Sequence, residues 1–219
     1  MDLVKAYQIK IKLVGSEPLI WRRVIIPADV TFKRLHDTIQ MSMDWWDCHL
    51  YEFEFPQEKL RITNDENSYN EFKHYSAKYK RKKPEEKEDP YGIISRILET
   101  TVRQPQTLKI DKLLEKYKAI KYVYDFGDYW EHQIELEQII ENYPYGYPTV
   151  LEGEGASPPE DVGGLSGYKE FLEAWNDPKH PEHEAMRQWG ESQYYRSFDL
   201  DFTNHLLKTC LKLKKAKQN

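Results

Sequence analysis

Five residues of this chain have the types and spacing for metal or acid–base chemistry. Asp125, Asp128 and His132 fall within eight residues, and Glu160 and Asp161 are adjacent in a Pro158-Pro159-Glu160-Asp161 run. Carboxylates and an imidazole gathered at one cavity hold a divalent cation, or act as acid and base. Gly127-Asp128 marks a hairpin turn that would carry Asp125, Asp128 and His132 to one end of a sheet. The two prolines stiffen the second loop, and Gly163-Gly164 let its backbone turn sharply or approach another surface. Together the five suit a Mg²⁺ or Mn²⁺ site for phosphodiester hydrolysis. Each also has a structural use. Asp125 and Asp128 suit turn hydrogen bonds. His132 shares a strand face with Trp130 and Ile134, as a core histidine does. Glu160 or Asp161 can pair with Arg22 or Arg23.

The surrounding charge sharpens the question. From Asp125 to Tyr168, 44 residues contain ten carboxylates and no lysine or arginine. Clustered carboxylates repel unless a metal, a basic partner or basic residues elsewhere in the chain answer them. The first expectation is an accessory protein that binds a basic protein partner through the acidic hairpin and the Pro-Pro-Glu-Asp loop. Asp125, Asp128, Trp130, His132, Glu160, Asp161, Arg22 and Arg23 are its candidate binding residues. The alternative is a metal-dependent hydrolase or nuclease on Asp125, Asp128, His132, Glu160 and Asp161, with a divalent metal as the one cofactor to test.

Other patterns are thinner. His49 with Asp44 and Asp47, and His36 one helix away, make a second candidate metal corner. His180 and His183 stand three apart across Pro181, a surface arrangement. No Walker loop, zincin helix or nucleophile elbow occurs. Trp45-Trp46, Tyr129-Trp130 and Tyr194-Tyr195 would stack bases if exposed, and the first 36 residues hold seven Lys/Arg against three Asp/Glu. Core packing accounts for most of these rings, so nucleic acid is the weaker partner class.

The elements that must position these groups follow from periodicity. Tyr7, Ile9, Ile11 and Leu13 alternate with polar residues, and a second extended run spans Leu19 to Ile26, predicting a hairpin. Thr31 caps a helix whose apolar face is Phe32, Leu35, His36, Ile39 and Met43. Tyr51, Phe53 and Phe55 predict a third strand. This order fits an α+β fold with a β-grasp-like hairpin–helix–strand core. Ile120 to Phe126 and Trp130 to Leu136 predict a second hairpin extending it. Residues 143–167 read as loop, followed by helices over Tyr168–Trp175, Pro181–Trp189 and Asp201–Leu213 packed on the core. Residues 56–106 read as a charged, flexible insertion within one domain spanning 1–219, with the basic-then-acidic run from Lys78 to Asp89 as a solvated loop.

Bulk properties narrow the class. A net charge of −5 and a pI near 5.9 argue against indiscriminate nucleic-acid binding. Two distant cysteines, Cys48 and Cys210, offer no disulfide framework, and no apolar run is long enough for a signal peptide or a bilayer span. The expected location is the cytoplasm, away from membranes.

Two stretches are more specific. Tyr122 to His132 and Gly153 to Gly164, continuing through Gly167-Tyr168 and Phe171-Leu172, resemble the plasmid pRiA4b ORF-three-like family. Ile20 to Arg23, Trp45 to Phe53 and His180 to His183 fit as well. The resemblance covers nearly the whole chain outside the charged insertion, and its members include insertion-element passenger proteins labelled TnpR-like. It implies an α+β fold and an association with plasmids or transposons, with no established activity. Many relatives carry cysteines flanking the Pro-Pro-Glu-Asp loop, where this chain has Val150 and Val162.

Overall fold

The computed structural model describes residues 3–81 and 89–212. Its strands are β1 (Val4–Leu13), β2 (Trp21–Pro27), β3 (Tyr51–Phe55), β4 (Leu60–Thr63), β5 (Thr101–Arg103), β6 (Ala119–Tyr124), β7 (Trp130–Tyr143) and β8 (Thr149–Glu154). The helices are α1 (Phe32–Ser42), α2 (Glu66–Lys80), α3 (Ile93–Glu99), α4 (Asp111–Tyr117), α5 (Gly164–Asn176), α6 (His183–Ser192) and α7 (Leu200–Cys210). The fold is α+β. One mixed, open sheet runs β5-β4-β3-β6-β7-β1-β2-β8, antiparallel throughout except for β4 with β5.

The predicted alternation builds this sheet. Tyr7, Ile9, Ile11 and Leu13 of β1 are buried on the face that also carries Val24, Phe53, Tyr122 and Ile134. Helix α1 covers that face. Thr31 Oγ1 accepts from the Arg34 amide at 3.3 Å as its cap, and Phe32 packs edge-on against Phe55. Hairpin, helix and β3 occur in the expected order, but β6 and β7 stand between the hairpin and β3. The second hairpin therefore occupies the middle of the sheet. Its strand β7 runs on to Tyr143 because its outer edge pairs along β1 as far as Val4. Within 143–167, read as loop, Thr149 to Glu154 pair with β2 as an edge strand. Residues 56–106 supply β4 and β5 at the opposite edge. Lys82 to Glu88, the centre of the charged run, lie outside the described residues.

The other sheet face is polar and carries a lattice of charges. Lys12 meets Glu135 at 3.0 Å, Arg23 meets Glu137 at 2.6 Å and also pairs with Glu152, and Lys121 bridges Glu54 and Glu131 at 3.1 and 3.2 Å. Four carboxylates of the Lys/Arg-free stretch are thus answered by neighbouring strands. Surface pairs of this kind contribute about 0–1 kcal/mol each. Asp125, Asp128, Glu160 and Asp161 stand apart, at chain reversals where no strand neighbour brings a cation.

Candidate metal centre

Three chain reversals meet beyond the end of β6. After α1, Asp44 and Asp47 adopt left-handed backbone (φ 59° and 57°), compressing the connection to β3. Asparagine and aspartate tolerate this region best among side chains with a Cβ. Trp45 is buried against Tyr124, ring centroids 5.0 Å apart, and its indole N–H donates to the Pro158 carbonyl at 2.9 Å. That bond ties the reversal after α1 to the Pro-Pro-Glu-Asp loop.

The loop is fixed from three sides. Arg22, 1% exposed, donates to the carbonyls of Ser42, Trp21, Glu154 and Gly155 and to Ser157 Oγ, while stacking 3.9 Å from the Phe198 ring centre. It makes no carboxylate ion pair among the described residues, and burial lowers its pKa to about 10. Asp128 Oδ2 accepts from the Gly163 amide at 3.0 Å. Gly164 follows with φ 69°, and a Cβ there would meet the Asp128 carbonyl at 2.8 Å. On α5, a Cβ at Gly167 would lie 1.9 Å from the Val162 carbonyl oxygen, so only glycine permits that approach.

Within this frame the carboxylates are divided atom by atom. Glu160 Oε1 accepts from the Trp46 amide at 3.0 Å and the Tyr124 hydroxyl at 2.9 Å. Tyr124 also accepts from the Cys48 amide at 3.1 Å, and burial raises its pKa, keeping the donated proton in place. Asp125, itself left-handed (φ 55°), uses Oδ1 to accept from the Gly127 amide at 2.9 Å. The remaining oxygens turn toward one imidazole. His49 Nε2 lies 3.7 Å from Asp125 Oδ2, 3.7 Å from Glu160 Oε2 and 3.3 Å from Asp161 Oδ1. Among the described residues neither His49 Nε2 nor Glu160 Oε2 has a hydrogen-bond partner, although both atoms are buried. The Glu160 side chain is 10% exposed and that of Asp161 75%, so the cluster opens on the Asp161 side. Burial raises the Glu160 pKa against the opposing Trp46 and Tyr124 hydrogen bonds, and Asp161 adds to the rise.

These separations fit a small divalent ion. For metal–ligand bonds of about 2.1 Å, the edge of a tetrahedron is about 3.4 Å. Ligand atoms of His49, Asp125 and Asp161 all fall within 4.8 Å of one another. Glu160 lies outside that set of three, and its Oε2 meets the same imidazole nitrogen at 3.7 Å.

The structure therefore brings together Asp125, Glu160 and Asp161 of the five expected residues, with His49 as the imidazole. Asp128 holds the loop instead. His132 lies in the core with Trp130. Its Nδ1 is 2.9 Å from the Trp130 carbonyl, its ring packs against Trp45 and Tyr122, and burial lowers its pKa to about 4. Arg23 belongs to the polar sheet face. The other proposed corner separates as well. Asp44 forms a two-pronged pair with Arg196, and Asp47 accepts from Lys33 at 2.9 Å while lying 2.7 Å from His36 Nε2. Lys33 also reaches Asp37 at 2.7 Å, placing an ammonium where an ion would sit beside His36, Asp37 and Asp47. His183 is bonded to the Ala174 carbonyl. Trp46 and Tyr194 do form an exposed aromatic pair, ring centroids 5.7 Å apart. The role of His49 had no spacing signal, since its partners follow 76 to 112 residues later.

By fold and site, this is an α+β protein with a histidine–carboxylate cluster at one end of its sheet. It belongs to the plasmid pRiA4b ORF-3-like protein family, whose profile matches residues 5–205. The uncharacterized protein y4hQ of Sinorhizobium fredii (strain NBRC 101917 / NGR234) is 31% identical over 196 residues, covering 90% of this chain and 86% of that protein. The crystal structure of MM3350 from Methanosarcina mazei Go1, a protein of unknown function, aligns with a TM-score of 0.67. It is 30% identical and covers 91% of this chain and 98% of that one. No helix among the described residues is long and apolar enough to cross a membrane.

Proposed function

We propose that this chain is a divalent-metal-binding protein whose ligands are His49, Asp125 and Asp161, with Glu160 Oε2, beside His49 Nε2, drawn in as a fourth when the ion binds. The observation that carries the reading is the pair of buried, unpartnered atoms, Glu160 Oε2 and His49 Nε2, facing each other at 3.7 Å. A buried carboxylate oxygen without a partner is costly, and a cation between the two atoms supplies what both lack. One imidazole with three carboxylates suits Mn²⁺ or Zn²⁺ better than the carbonyl-rich cages that favour Ca²⁺. The wider expectation stays with this proposal: a cytoplasmic accessory protein of plasmids or transposons, built on a β-grasp-like hairpin–helix–strand segment.

Metal-assisted hydrolysis is the second reading, favoured by the open Asp161 side. There a metal-bound water would become a nucleophile near neutral pH. The nuclease form of it has less support. Nearby, Lys33 of α1 is held by Asp37 and Asp47, and Arg196 by Asp44, so neither stands ready for a phosphate. Isothermal titration of chelator-treated protein with Mn²⁺, Zn²⁺ and Mg²⁺ tests the metal reading. One-to-one binding lost in Glu160→Gln supports it, and no heat with any ion refutes it.

A further inference from the structure

Beside the cluster, on its open side, a groove of about 350 Å³ runs between α5 and α6. Its floor is apolar, formed by Phe171, Met186 and Trp189, and its rim carries Asp161, Glu170 and Glu182. Among the described residues, no lysine or arginine lines it. On α6, Arg187 stacks on Trp175 and pairs with Glu191 at 3.3 Å. Glu170 and Glu182 are exposed and form no ion pair among the described residues. This differs from the sheet face, where Glu131, Glu135, Glu137 and Glu152 are each matched to a basic residue. A volume of this size falls within the roughly 300–1,000 Å³ of ligand pockets.

We infer that this groove binds a partner polypeptide through an arginine side chain set among apolar residues. The chemistry selects that occupant. An anion meets three carboxylates with no counter-charge, and a purely apolar segment would leave those carboxylates partly desolvated and unpaired. Arginine answers both features. Its stem packs on apolar and aromatic surface, and its planar fork hydrogen-bonds carboxylates with two parallel donors. The rim carboxylates are spread along the groove, from the loop at Asp161 past α5 to the start of α6 at Glu182, as an extended segment requires. The groove shares Asp161 with the proposed metal centre, so this inference deepens that reading by naming the partner that sits beside the ion. A metal that draws on the Asp161 charge weakens the arginine contact, and linkage makes the effect reciprocal.

The test is fluorescence anisotropy of a labelled hexapeptide of alternating arginine and leucine, run in chelator. Failure here then leaves the metal reading standing, and a protein without metal affinity can still pass. The arginine peptide is expected to bind, to weaken as salt is raised, and to lose at least about tenfold in affinity in the Glu170→Gln/Glu182→Gln variant. Both positions are exposed, so the variant keeps the fold, which its circular dichroism checks. Equal binding of a glutamine–leucine peptide overturns the inference. So does unchanged affinity in the double variant, or no binding of the arginine peptide at all.

Discussion

Asp125→Asn tests the centre with little disturbance to the fold. Asparagine tolerates the left-handed backbone at this position (φ 55°). Its carbonyl oxygen can still accept from the Gly127 amide, now bonded to Oδ1 at 2.9 Å. What changes is the inward atom, a carboxylate oxygen 3.7 Å from His49 Nε2 that becomes an amide nitrogen. In chelator the variant should melt close to the wild type, because the turn bond is kept and one buried charge is removed. With metal the two should separate. A ligand that binds only the folded form, at a hundredfold excess over its Kd, stabilises by about 2.7 kcal/mol. For 219 residues, an unfolding entropy of about 2.1 cal/mol/K per residue gives about 0.46 kcal/mol/K. The wild type should therefore gain about 6 °C, and Asp125→Asn almost none of it. Differential scanning calorimetry with Mn²⁺ or Zn²⁺ reads both numbers. A full 6 °C gain in the variant would mean that the ion binds elsewhere and that the convergence on His49 is not a metal site.

Four further outcomes follow from the same contacts. Burial raises the Glu160 pKa above its ordinary 4.5, so the folded chain holds that proton to higher pH than the unfolded chain. Stability in chelator should therefore decline as pH rises from about 4.5 through the folded value, and Glu160→Gln should flatten the decline in denaturant titrations. Gly167→Ala sets a methyl against the Val162 carbonyl, 1.9 Å from its oxygen; a loss of about 3 kcal/mol or more is expected, read as a lower melting temperature. Arg22→Lys cannot make the five bonds that reach four carbonyls and Ser157, so a loss of about 2–4 kcal/mol and weaker metal binding should appear together in calorimetry. Glu135→Ala, on the exposed sheet lattice, should cost under about 1 kcal/mol and leave metal affinity unchanged.

The core was legible where one periodicity dominated. Alternation in β1, the α1 stripe from Phe32 to Met43, and the paired faces of β6 and β7 all appear where their patterns indicate. Strand order was harder, because alternation reports which face is buried and says nothing about which neighbour pairs. The entry of β6 and β7 between β1 and β3 depends on registers such as Ile11 with Ile134 and Phe53 with Tyr122, which join segments far apart in sequence. Strand β8 was hidden because Gly153, Glu152 and Glu154 carry no apolar repeat, and its pairing with β2 is mainly a backbone matter. At the site, the carboxylates stood out through the missing lysines and arginines. Their imidazole did not, since His49 reaches them only through tertiary bonds such as Trp45 to Pro158 and Trp46 to Glu160.

The acidic stretch serves two purposes, and the difference lies in what surrounds each carboxylate. Along β7 and β8 the glutamates face an open sheet surface, where water and cross-strand cations neutralise them at little cost. At the reversals, Asp125 is buried and Glu160 partly buried, each with one oxygen already committed to the fold and the other facing His49. No lysine or arginine of the chain is paired with them among the described residues, although Lys33 and Arg196 neutralise Asp47 and Asp44 in the neighbouring reversal after α1. A chain that pairs four of the six glutamates on β7 and β8 with cations, yet gives this inward-facing pair only an imidazole nitrogen without a hydrogen-bond partner, favours the proposed cation. Metal titration of Glu160→Gln against the wild type decides between such a centre and a merely acidic surface: equal binding by both would leave Glu160 a structural carboxylate.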